Sequence, residues 1–74
     1  RYNRLGFSLT VYPNRIEVVE GVMRKRTIIP LRNVANVEKT LTNKVIIHTN
    51  DGKKQTFVCG LQTGKIYDAI MAAL

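Results

Sequence analysis

Over most of its length the chain alternates apolar and polar residues with a period of two, and only from Thr63 onward does that period change. Phe7, Leu9 and Val11 alternate with Ser8, Thr10 and Tyr12, the signature of a strand with one buried face. Pro13-Asn14 breaks this run, since proline presets a turn dihedral and asparagine tolerates left-handed backbone. A second strand covers Arg15 to Val19 and a third runs from Val22 to Ile29, joined by Glu20-Gly21. Read as a two-residue hairpin loop, Glu20-Gly21 sets Val18 opposite Met23, Glu17 opposite Arg24, Ile16 opposite Lys25 and Arg15 opposite Arg26. Ile16, Val18 and Met23 then share the inner face, and Arg15, Glu17, Arg24 and Arg26 the outer one. Lys25 is the exception, and its head must reach water at the rim.

Pro30 ends the third strand because it has no N–H for a ladder. Val34 and Val37 lie three apart, so a single turn around Leu31–Ala35 is expected before a strand through Val37 and Lys39. Further strands follow at Lys44 to Thr49 and Lys53 to Cys59, joined by the hairpin signal Asp51-Gly52. In the last segment Ile66, Ile70, Ala73 and Leu74 fall on one face of a helix, with Thr63 as its N-cap and Asp68 toward its positive end. A helix this short is marginal alone and must dock on the sheet. The expected fold is mainly β: a curved antiparallel sheet or partial barrel of about six strands, capped by one C-terminal helix.

Composition narrows the function classes. With 74 residues the chain is about half the ~150 of an average domain, hence one small domain. It is 45% hydrophobic and 23% charged, a globular balance rather than a disordered one. A domain of this size is stable by only ~4–11 kcal/mol, which leaves little room for a deep site of strained, dry residues. The expectation is therefore of a non-enzyme without cofactor. One Cys and one His exclude a disulfide framework and any zinc site built by this chain alone. No apolar run approaches the ~18 residues of a membrane span, and no signal peptide is visible. The chain begins at Arg1 rather than Met, and the single domain 1–74 reads as a piece excised from a longer protein.

The hairpin Arg15-Ile16-Glu17-Val18-Val19-Glu20-Gly21, the stretch Thr27-Ile28-Ile29-Pro30-Leu31-Arg32-Asn33-Val34-Ala35-Asn36-Val37-Glu38 and the ending Ile66-Tyr67-Asp68-Ala69-Ile70 together resemble the bacterial pleckstrin-homology-like domains. The likeness lies in an Ile-Pro-Leu step, a following Val-x-x-Val and a terminal amphipathic helix, from about Leu9 to Leu74. It implies a bent antiparallel barrel with a C-terminal helix, a binding rather than catalytic role, and a place at the cytoplasmic face as the soluble domain of a membrane-anchored protein. In phosphoinositide-binding relatives a basic residue, a loop and then basic-x-basic hold the headgroup. Arg15 followed by Arg24-Lys25-Arg26 is similar, but Glu20-Gly21 is too tight to wrap a headgroup, so only the electrostatics carry over.

The formal net charge is +7 and the pI about 10.1, which directs attention to anionic partners. Arg15, Arg24, Lys25 and Arg26 are the candidate residues for an anionic membrane surface or acidic protein partner, and the alternative for them is a solvated face with Glu17 cancelling part of the charge. Lys53 and Lys54 read either as added binding cations or as protection of a strand edge. His48 has no evident acidic or thiol partner, and Cys59 reads as a small buried hydrophobe. Two other functions stay open: homo-oligomerisation through strand edges, and nucleic-acid binding. The second is disfavoured because aromatics are only 7% of the chain and do not interleave with the cations, as stacking platforms require.

Overall fold

A computed structural model describes the whole chain except Leu5 and the side chain of Arg4. Among the described residues, seven strands, two short 3-10 turns and one α-helix follow one another. Strands β1 (Tyr2–Arg4), β2 (Phe7–Val11), β3 (Arg15–Glu20) and β4 (Lys25–Pro30) form one antiparallel sheet in that order. A 3-10 turn at Leu31–Asn33 leads to the second antiparallel sheet of β5 (Val34–Lys39), β6 (Lys44–Thr49) and β7 (Lys54–Val58). Gly60–Gln62 forms the second 3-10 turn, and helix α1 spans Thr63–Ala73.

The period-two pattern puts alternate side chains of both sheets into a common core. Leu9, Ile16, Val18 and Ile29 come from the first sheet, and Val37, Val45, Ile47 and Phe57 from the second. Helix α1 packs on β2, β5 and β6, and its Ile66 and Ile70, one turn apart, are fully buried. Each such isoleucine contributes ~1.5–3 kcal/mol on leaving water, which holds in place a helix too short to persist alone. Cys59 also lies in this core.

The fold is mainly β with a C-terminal helix, and several details differ from the sequence expectation. Among the described residues the strands number seven rather than six, because β1 pairs with β2 (Tyr2↔Leu9, Arg4↔Phe7) although Tyr-Asn-Arg carries no alternation. They form two sheets, and among the described residues these do not join into a closed barrel. The irregular Val34–Val37 spacing is absorbed by a register shift between Val34 and Asn36, a bulge that lets the strand start directly after Leu31–Asn33. Thr63 does not cap α1: its hydroxyl donates to the Gly60 carbonyl at 2.6 Å, and Gln62 occupies the cap position. Asp68 lies beyond the first helical turn, which holds no acidic residue.

The largest difference lies in the β3–β4 hairpin. The observed register pairs Ile16 with Ile29, Val18 with Thr27 and Glu20 with Lys25. The connection is therefore the four-residue turn Gly21-Val22-Met23-Arg24, closed by Arg24 N–H donating to the Gly21 carbonyl at 3.1 Å. Each β3 residue faces a partner four positions further along than a two-residue loop would give. An even displacement preserves faces, so Ile16 and Val18 stay inside while Arg15, Glu17 and Arg26 stay outside. Met23 does not reach the core. It stands 90% exposed beside Val22 at 98%.

Candidate functional site

The outer face of the first sheet gathers four arginines around one carboxylate. Glu17 and Arg15 alternate outward on β3, and Arg26 of β4 lies diagonally across from Glu17, which pairs with Ile28. One Glu17 oxygen accepts from Arg15 Nε at 2.5 Å and the other from an Arg26 guanidinium nitrogen at 3.0 Å. Arg15 also donates to Asn14 Oδ1 at 2.9 Å and lies over the Tyr12 ring, 3.9 Å from its centroid. That stacking favours arginine over lysine, since a flat guanidinium can pair at its edge and stack by its face.

Beside this cluster lies a hollow of about 290 Å³ lined by Arg1, Ser8, Thr10, Glu17, Arg24 and Arg26, among others. Arg1 Nε donates to the Ser8 hydroxyl at 3.2 Å. The carboxylate of Glu17 is engaged by Arg15 and Arg26, so Arg1 and Arg24 bring positive charge to the hollow with no ion pair of their own among the described residues. Arg24 has φ +55°, a left-handed conformation that costs a side-chain-bearing residue ~1 kcal/mol or more. Gly21, at φ +77°, takes the same region without that penalty.

Of the six candidate cations, the fold brings Arg15, Arg24 and Arg26 to this face. Lys25 has the opposite parity, across from Glu20 on the last rung of the hairpin, and is exposed. Arg24 belongs to the turn rather than to β4. Lys53 and Lys54 stand apart from these residues, lining a cleft beside Ile28 and Pro30. His48 is not isolated: its Nε2 lies 2.5 Å from Glu38 Oε1, across the β5–β6 pair. Asp51 is held below the ordinary carboxylate range, first by the Thr49 hydroxyl and then by the Lys53 backbone N–H.

The feature that the sequence expectation missed is the apolar tip. Val22 and Met23 project at the end of the hairpin immediately before Arg24-Lys25-Arg26. The signal was the clash of Ile16 with Lys25 in the two-residue register. Moving to Ile16↔Ile29 and Glu20↔Lys25 matches apolar with apolar and acid with base, and expels Val22 and Met23 into the turn. The chain matches no protein family, no curated protein and no solved structure with which it was compared.

Proposed function

We propose that the chain is a non-catalytic binding module of pleckstrin-homology-like type that docks on anionic membrane surfaces, at the cytoplasmic leaflet, through the tip and outer face of the β3–β4 hairpin. One observation carries this reading: two almost fully exposed apolar side chains, Val22 and Met23, directly precede three exposed cations. Apolar side chains at such a tip sit at the boundary of headgroups and acyl chains, while the neighbouring cations meet lipid phosphates. Each Lys or Arg near an anionic surface contributes ~1 kcal/mol, so Arg24, Lys25 and Arg26 together supply about a hundredfold in affinity. The two sheets of four and three strands, the terminal helix and the Ile29-Pro30-Leu31 step support the pleckstrin-homology-like assignment.

Co-sedimentation with vesicles tests the reading. Binding is expected to phosphatidylserine-rich vesicles and not to phosphatidylcholine alone. Replacing Val22 and Met23 by Ser leaves the fold intact, because both are exposed, and weakens binding about tenfold. Arg24→Glu with Arg26→Glu abolishes it. Equal binding to both vesicle types, or full binding by the charge-reversed variant, overturns the proposal. So does preference for an acidic protein over the charged vesicles.

A further inference from the structure

Two strand edges face each other across a cleft that the membrane reading does not use. Thr49 N–H donates to the Lys53 carbonyl and Cys59 N–H to the Asn43 carbonyl, both at 2.9 Å. Bonded and non-bonded pairs alternate along an antiparallel ladder, so Gln55 and Phe57, opposite Ile47 and Val45, bond toward β6. Lys54, Thr56 and Val58 then turn their backbone N–H and C=O groups away from it. On the first sheet, Tyr12 N–H donates to the Arg15 carbonyl and Gly21 N–H to the Gly6 carbonyl, which commits Arg15, Glu17 and Val19 to β2. Lys25, Thr27 and Ile29 therefore bond to β3, and Arg26, Ile28 and Pro30 face outward. Proline occupies an outward position, where its missing N–H leaves no gap in the ladder.

β4 and β7 are edges of their sheets, and α1 packs on β2, β5 and β6. Between them lies a cleft of about 550 Å³ lined by Ile28 and Pro30 on one side and by Lys53, Lys54 and Gln55 on the other. Ile28 is 52% exposed. Asp51 also borders the cleft, but its carboxylate accepts from the Thr49 hydroxyl and the Lys53 N–H of its own turn, which leaves the two lysine ammonium groups to set the sign. The geometry points to an extended segment of a partner protein that adds to the β7 edge as a further strand, with apolar side chains of one face against Ile28 and Pro30 and acidic ones of the other face beside Lys54. Strand addition of this kind draws affinity from main-chain bonds and specificity from alternate side chains. A second copy of the chain is the poorer occupant, because two bodies of charge +7 repel on approach.

The probe is a capped eight-residue peptide of alternating valine and glutamate, titrated into the isotope-labelled chain and read by amide NMR. The Lys54, Thr56 and Val58 amides are expected to shift and to exchange more slowly with solvent, and the matching valine–lysine peptide to do neither. Thr56→Pro removes one outward N–H and lowers affinity at least tenfold. Where that variant does not fold, Lys53→Ala with Lys54→Ala serves, with a loss of at least fivefold. No change at β7 with millimolar peptide, or equal binding of the lysine peptide, overturns the proposal. Shifts confined to Arg15, Arg24 and Arg26 overturn it too. So does a concentration-dependent doubling of mass that protects the same β7 amides, since the occupant is then a second copy. None of these outcomes bears on vesicle binding, which is measured separately.

Discussion

Glu17 does two opposed things on the outer face of the first sheet. Its side chain is only 14% exposed and accepts from both Arg15 and Arg26, so it fixes their direction and lowers the local repulsion between guanidinium groups. Hydrogen bonds to charged groups are worth ~1.5–3 kcal/mol, reduced here because Arg15 and Arg26 are 36% and 62% exposed and water screens them. The same carboxylate also cancels charge that an anionic surface would meet. Glu17→Gln keeps the shape and removes the charge, so stability and binding are expected to move in opposite directions. Thermal unfolding should show a loss of about 1 kcal/mol, while sedimentation with phosphatidylserine-rich vesicles should show binding strengthened several-fold. Weaker vesicle binding by a folded Glu17→Gln protein would mean that the ordered arginine geometry, and not its net charge, meets the membrane.

At the scale of the element, α1 is held by packing rather than by its ends. It has no side-chain cap, no acidic residue in its first turn and no basic residue in its last, so neither capping nor the helix dipole adds much. Ile66 and Ile70 supply the attachment. Ile70→Ala is expected to cost ~2–5 kcal/mol, a large share of the ~4–11 kcal/mol available to a domain of this length. Denaturant titration by circular dichroism reads that loss, and a change below ~1 kcal/mol would show that the sheets stand without the helix. Elements whose side chains alternate or recur at 3.6 are legible in the sequence: Lys44 to Thr49 coincides with β6, and Ile66 and Ile70 face the core. β1 is not, because its three residues carry no apolar alternation to mark a strand, although Tyr2 packs against the core. The hairpin register was legible in its faces and not in its turn, since a displacement of four leaves every inward residue inward. That is why Arg15, Glu17 and Arg26 could be placed together from sequence and the Val22–Met23 tip could not.

For the molecule as a whole, salt separates the charge that touches a membrane from the charge that merely belongs to the protein. The backbone extends 29 × 26 × 22 Å. The Debye length is ~30 Å at 0.01 M salt and ~8 Å at 0.15 M, so at low salt an anionic surface senses the entire net charge of +7. Near physiological salt it senses only cations close to the contact. Arg24 and Arg26 line the hollow of the β3–β4 hairpin, whereas Lys53 and Lys54 line the cleft between β4 and β7. Charge removal at the two places should therefore behave differently. Lys53→Ala with Lys54→Ala is expected to weaken vesicle binding at ~0.01 M salt and to leave it nearly unchanged at ~0.15 M. Arg24→Ala with Arg26→Ala should weaken it at both, by about thirtyfold at the higher salt on the ~1 kcal/mol assigned to each cation. A lysine pair that matters equally at both salt concentrations would put the cleft against the bilayer, and a strand bound to β7 would then compete with the membrane for the same cations.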